Sequence, residues 1–291
     1  MSWAITLMGF LLVAVVARDV FHTLFHPVGH GSIAPQVMKL VWWMLRSFRS
    51  DRRIAGMTGP LGIALVVLAW GVIAVVGWAL LYLAQMPDGF AYSSELNPAG
   101  RHDVFDSLYL SLVTIGTLGF GDIVPATPFL RLIVPLEALF GFMLLTAAVS
   151  WVLQIYPALH RRRVVALQLS TLREARRANP DLGIDSVPTD VLTRLADAIM
   201  EVRNDFTQYG ATYYFRDVEV DASLASSLVY ATELASEAEG SAYPQTRLAG
   251  ALVTAAVESL TGLLNNEFLG LDGDTAAVIR GYAADHRHRP R

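Results

Sequence analysis

Residues 117–122 read Thr-Leu-Gly-Phe-Gly-Asp. Glycine takes φ values that other residues cannot, and two glycines one residue apart let the chain turn successive carbonyls to the same side. A row of inward carbonyls, begun by the Thr117 hydroxyl, can replace the hydration shell of a desolvated cation. Leu118 and Phe120 would then point away from that row and pack behind the loop. Asp122 follows Gly121 on the outer side, where it adds negative potential.

Such a loop needs elements that hold it at membrane depth. Asp103–Gly116 reads as a helix of about 13 residues, too short to cross a bilayer, with Asp103 and Asp106 at the end where helices favour acids. Its C-terminal, negative dipole end runs straight into the loop and favours a cation there. A short helix followed by extended, glycine-bearing backbone is a re-entrant loop, tolerated in a bilayer only where protein buries it or it lines a water-filled path. Apolar stretches flank it. Gly62–Ala84 carries no charge, and Pro128–Tyr156 is broken only by Arg131 and Glu137. Met1–Ala17, ending at Arg18-Asp19, is a shorter third candidate. No basic residue precedes its apolar core, which argues against a cleaved leader.

Basic residues set the expected orientation. Lys39, Arg46, Arg49, Arg52 and Arg53 precede the second span, and Arg161, Arg162 and Arg163 follow the third, so both groups are expected inside. Asp88–Asp103 is then outside, and the C-terminal half is cytoplasmic. Between the first two spans, Val37, Leu40, Val41, Met44, Leu45 and Phe48 recur at helical spacing within 34–50. Two readings fit this stripe: a helix on the inner membrane surface, or one packed on the cytoplasmic domain. Trp42 and Trp43 are expected to mark the membrane interface.

At Thr117–Asp122 the chain resembles the potassium channel family, whose selectivity-filter run carries Val and Tyr where this chain has Leu118 and Phe120. The resemblance covers roughly residues 60–160. It implies K+ as the permeant ion, held at Thr117, Leu118, Gly119 and Phe120, with Gly121 closing the filter. Tyr109, eight residues before Thr117, stands where many members carry Trp beside the filter aspartate. It is expected to bond Asp122 behind the filter. Gly141, nineteen after Asp122, falls where the family has a hinge glycine, and Leu145, Thr146 and Val149 beyond it form the expected pore-facing gate. One filter run per chain implies a homotetramer closed about a fourfold axis. The membrane and its lipids are the other expected partners.

Other residues carry paired readings. Glu137 inside the third span either buttresses the filter through the pore helix or is a hydrogen-bonded structural residue. Pro135 removes one hydrogen bond of the same helix and is expected to bend it. His22, His26 and His30 share a spacing of four, but Pro27, Gly29 and Gly31 interrupt the helix, so an interfacial loop is expected over a metal site.

Composition agrees with two halves. Of the 291 residues 54% are hydrophobic and 16% charged, against about 25% charged in a typical soluble domain. Residues 1–163 sum to +3 and 164–291 to −7. No basic stripe points to nucleic acid. No cysteine is present, which removes disulfides, thiolate metal sites and cysteine catalysis. The C-terminal half carries helical patterns from Thr189, from Ala222, from Thr246 to about Phe268 and after Asp274, punctuated by Pro188, Gly240, Pro244 and Gly270. Asp217, Glu219 and Asp221 are expected on a solvated surface, and the tail His286–Arg291 disordered. No catalytic constellation or nucleotide-binding pattern stands out, and no organic cofactor is expected.

The expected architecture is an all-α membrane protein. An N-terminal helix (1–25) is followed by an interfacial loop and amphipathic helix (26–58), a pore domain (59–160) and a cytoplasmic helical domain (161–291) that regulates the gate through a ligand or partner the residues do not reveal. The expected function is potassium conduction across the plasma membrane. The alternatives are a weakly selective cation channel and a non-conducting scaffold or sensor. Replacing Gly119 or Gly121 by Ala should abolish K+ over Na+ selectivity in liposome flux while the protein still inserts. Unchanged selectivity in both variants would remove the filter assignment.

Overall fold

The computed structural model describes residues 2–25, 31–47, 56–94 and 102–288. His26, His30, Phe48, Arg49, Arg52, Arg53 and the terminal 289–291 lie outside the described residues, as does the side chain of Arg46. The helices are α1 Ser2–Phe25, α2 Ile33–Ser47, α3 Thr58–Leu83, α4 Asp103–Ile115, α5 Pro128–Ala178, α6 Thr189–Gln208, α7 Leu224–Glu239, α8 Pro244–Leu264 and α9 Thr275–Asp285. Two three-residue strands, β1 Phe90–Tyr92 and β2 Ile123–Pro125, flank the pore-helix segment. The chain divides into two compact units, Met1–Leu40 with Gly62–Leu153 and Val41–Leu61 with Gln154–Arg291.

Among the described residues four helical stretches are long and apolar enough to cross a membrane: Trp3–Leu24, Thr58–Leu83, Pro128–Ala178 and Pro244–Leu269. We read the first three as spans. The fourth is α8 and its π-helical turn Asn265–Leu269. Its apolar face, with Ala249, Val253, Ala256, Val257 and Leu260, is buried against α6, α7 and α9.

In the first unit, α1 lies against α3 through small residues. A Cβ on Gly9 would sit 2.6 Å from the Gly77 carbonyl oxygen, and one on Gly77 2.9 Å from Val13. Close backbone approach of this kind is how helices associate in lipid. α1 continues past the apolar stretch that ends at Ala17 and reaches Phe25, close to the expected bound, and Asp19 within it is not released to water. Its buried carboxylate accepts the Ile33 amide (2.7 Å), the Ala34 amide (3.3 Å) and the Trp70 indole N–H (2.7 Å). Asp19 thus caps the N-terminus of α2 from a neighbouring helix, where a negative charge is favoured. Trp70 in turn packs on Trp151, ring centroids 5.5 Å apart.

The core around the pore helix α4 is assembled from every neighbouring element. Ala74, Trp78 and Tyr82 of α3, Phe90, Leu110, Val113, Ile123 and Leu130 form one buried cluster. The two strands pair antiparallel, with Ala91 opposite Val124, and turn Phe90 and Ile123 inward. This ribbon was not expected, since three residues are too few to show alternation.

The second unit is the helical bundle, and its four helices follow the expected patterns closely. Three expectations are corrected. Trp42 does not mark a membrane interface: it is 6% exposed, donates its indole N–H to Asp285 (3.1 Å), lies under the Arg216 guanidinium, 4.1 Å from the ring, and packs on Tyr214 and His286. Trp43 is exposed. Of α2's two readings, packing on the helical domain holds at Trp42. Asp217 is buried, not solvated, and accepts from Arg162 (2.8 Å) and Arg163 (2.6 Å), which water would otherwise have to replace. The tail is not wholly disordered, because His286 is buried and donates from Nε2 to the Tyr213 carbonyl (2.8 Å).

The third apolar stretch does not end at Tyr156. α5 runs 51 residues to Ala178, since no Gly or Pro lies between Pro157 and Ala178 to stop it. Arg161–163 therefore lie within a helix. Arg161 pairs with Asp205 (2.5 Å), and the buried Arg162 also donates to the carbonyls of Thr212 and Phe215, each at 2.8 Å.

Burial, helped by the Arg162 guanidinium, pushes the His286 imidazole down to about 4 from its usual 6.5, against the opposing pull of the Tyr213 carbonyl. The folded pKa lies below the unfolded one, so the unfolded chain binds the proton first on acidification. The stability held by neutral His286 is present above about pH 6.5 and is lost as pH falls toward 4. The thermal midpoint of the detergent-solubilised chain should drop over that window. His286→Gln, which still donates to Tyr213, should flatten the drop; identical pH slopes in the two proteins would refute this assignment.

Candidate functional site

The loop leaving α4 is organised by where its amides go. Thr117 N–H donates to the Thr114 carbonyl (2.9 Å), and the amides of Leu118 (2.8 Å) and Gly119 (3.3 Å) both donate to Val113. These three donors are turned back into the last turn of the pore helix. Among the described residues no donor reaches the carbonyl oxygens of Thr117 through Gly121. Acceptors left free by the fold are what a cation needs.

Backbone dihedrals follow the same plan. φ is positive at alternate residues: 56° at Thr117, 54° at Gly119 and 80° at Gly121. At both glycines a Cβ would meet open space, so conformation, not room, demands glycine there. Thr117 is the surprise. A β-branched residue at positive φ is an outlier and costs on the order of 1–3 kcal/mol. The motif gives no sign of this, because threonine is not a residue that sequence reasoning assigns to left-handed backbone.

The expected packing behind the loop is not supplied by the same chain. Leu118 is 62% and Phe120 67% exposed. Their apolar surface is left for something outside the single chain.

Behind the loop stand Tyr109, Asp122 and Glu137. Tyr109 is half-buried, and its phenol lies within hydrogen-bonding reach of Asp122. The Asp122 carboxylate also accepts the Ile123 amide (3.1 Å), and its carbonyl accepts the Ser93 amide (2.8 Å). The β1–β2 ribbon thus anchors the strand that leaves the loop. Glu137 is fully buried. One carboxylate oxygen accepts the Ser111 hydroxyl of the pore helix (2.5 Å), and the other accepts the Tyr82 hydroxyl of α3. One side chain therefore links outer helix, pore helix and inner helix. Tyr82 and Ser111 were not singled out in the sequence. The only signal was Glu137 itself, an ionisable group with no charge near it in the span.

Gly141 lies in unbroken helix. A Cβ there would run into the Ile115 carbonyl and lie 2.8 Å from its Cγ1, so glycine lets the inner helix touch the end of the pore helix. Leu145, Thr146 and Val149 are exposed on the single chain, and the Thr146 hydroxyl donates back to the Phe142 carbonyl (2.9 Å). No group of three or more potential His, Cys, Asp or Glu metal ligands occurs among the described residues.

Residues 77–156 match the family described as Ion channel. That interval holds the end of α3, the ribbon, the pore helix, the loop and the start of α5. An uncharacterized membrane protein of Bacillus subtilis, YdjJ, is 26% identical over 163 residues, 56% of this chain and 47% of its own length. Two pore potassium channel c of Oryza sativa subsp. japonica is 37% identical over 87 residues, 28% of this chain and 18% of the rice protein. Two-pore potassium channel 5 of Arabidopsis thaliana is 41% identical over 58 residues, 19% and 14% of the two chains. The chain thus spans less than half the length of these relatives. No solved structure matches. These matches liken residues 77–156 to ion-channel domains, with potassium channels among the chain's relatives.

The Glu137 linkage yields a measurable expectation. Glu137→Leu removes the acceptor of two buried hydroxyls, and each unsatisfied group costs about 1–3 kcal/mol. Ser111 can fall back on the Val75 carbonyl, 3.1 Å away, so the loss should come mainly through Tyr82. The Leu variant should therefore unfold at clearly lower temperature, and adding Tyr82→Phe should recover part of the loss. Independent, additive effects of the two changes would refute the linkage.

Proposed function

We propose that four copies of this chain close about a fourfold axis into a potassium-selective channel of the plasma membrane, with the C-terminus cytoplasmic. The observation that carries this reading is the alternation of positive φ at Thr117, Gly119 and Gly121, together with the amides of Thr117, Leu118 and Gly119, which turn back onto the preceding helix. Carbonyls freed in this way by four chains would cage a dehydrated K+ at Thr117, Leu118, Gly119 and Phe120. The exposed Leu118 and Phe120 support an assembly, since a neighbouring subunit would cover them. The potassium channels among the relatives support the choice of ion.

In this reading Tyr109, Asp122 and Glu137 hold the filter. The inner helix gates near Gly141, Leu145, Thr146 and Val149, where approaching apolar side chains would dewet the path. Residues 1–25 form an added membrane helix, 26–58 the interfacial segment, 59–160 the pore and 161–291 a regulatory domain.

The test is cation flux from the purified full chain in liposomes, with native mass measured in parallel. Efflux strongly favouring K+ over Na+ from a species of four chains is the expected result. Equal K+ and Na+ flux would replace the reading with a weakly selective channel. A well-folded protein with no flux would make it a membrane scaffold or sensor.

A further inference from the structure

One buried carboxylate stands behind the inner helix. Asp19 of α1 accepts the Trp70 indole N–H on the same oxygen that takes the Ala34 amide, while its other oxygen takes the Ile33 amide and the Ser32 hydroxyl. A Cβ on Gly31 would sit 2.5 Å from that second oxygen and 2.6 Å from the Thr23 hydroxyl, so glycine lets the chain close over the carboxylate. Trp70 is wholly buried, and its ring packs on Trp151 of α5 with centroids 5.5 Å apart and planes inclined at 37°. At 100° and 1.5 Å per residue, Trp151 lies about 200° around α5 from Val149, about 240° from Leu145, and about 3 Å beyond Val149 along the axis. It therefore backs the face assigned above to the gate. All of these residues belong to the first unit.

We infer that Asp19 makes Trp70 a stop behind the gate: the inner helix moves away from the pore axis only when the indole turns, and the carboxylate holds the indole in place. The inference rests on the fourfold channel reading. Asp19 touches neither the ion path nor the gate and acts through Trp70, so it is a positioning residue. An indole at contact distance leaves Trp151 no room to retreat toward α3. Turning the indole would leave its N–H unpaired in apolar surroundings, a cost met only in the more open state. A contact that differs between two states biases the equilibrium between them, so removing the N–H favours opening. The Ala34 amide shares the Trp70 oxygen. A shift of the start of α2 therefore alters the grip on the indole, and α2 is the element through which the stop is released.

Trp70→Phe is the main probe. It keeps an aromatic ring against Trp151 and leaves Asp19 to cap α2, but removes the N–H. In planar bilayers the full chain carrying Trp70→Phe should show an open-to-closed ratio raised about fivefold or more, with K+ over Na+ selectivity unchanged. Adding Asp19→Asn should change the ratio no further, since both changes break one bond. Trp151→Leu, which withdraws the other ring, should also raise the ratio, and native mass checks that each variant assembles. A second readout needs no current. The chain has no cysteine, so Val149→Cys introduces a single thiol, whose modification rate by a water-soluble methanethiosulfonate should rise likewise with Trp70→Phe. K+ current with ratio and thiol rate unchanged in both tryptophan variants, or a raised ratio with selectivity lost, would overturn the stop while leaving the channel. No current but a raised thiol rate would keep the stop and remove the conduction reading. No current and an unchanged thiol rate would remove both.

Discussion

The constraint on which the rest depends is that a loop whose carbonyls stay unpaired must still satisfy its amides. In this chain the amides of Thr117, Leu118 and Gly119 are satisfied by the last turn of the pore helix, through Val113 and Thr114. That arrangement is stiff only if the pore helix is stiff. Val113 and Leu110 are therefore buried among residues of α3, both strands and α5, and Ser111 on the next face is tied to Glu137. The left-handed φ at Thr117, unfavourable in isolation, persists because its surroundings over-determine it. Glycine at 141 belongs to the same scheme, since it lets the inner helix reach the carbonyl that ends the pore helix.

Much of this was legible in the residues. The loop at Thr117–Asp122 was visible because glycine at alternate positions has few other uses in an apolar setting, and because the short helix before it could not cross a bilayer. The bundle helices were visible because Pro188, Gly240 and Pro244 punctuate a clear 3.6-residue period. Interactions that pair distant residues were not visible. Nothing local distinguishes Asp217, a buried partner of two arginines, from Glu219 two residues on. Asp19 looked like the polar end of a span, yet it caps a helix 14 residues away. Trp42 and Trp43 are adjacent and identical, and only the fold sends one inward and the other to the surface.

The length of α5 shows how one rule can mislead another. Three consecutive arginines after an apolar stretch mark a membrane boundary by charge. They say nothing about whether the helix stops there. It does not, because Val164–Ala178 contains no Gly, Asn or Pro, the residues that commonly end a helix.

Arg161, Arg162 and Arg163 stand about 100° apart around the helix axis, and each is fastened to the bundle: the first to Asp205, the other two to Asp217. A single contact would act as a pivot. Attachments spread over more than half the circumference act as a key in a shaft. The bundle cannot spin about this stretch of α5 without breaking charge-assisted bonds.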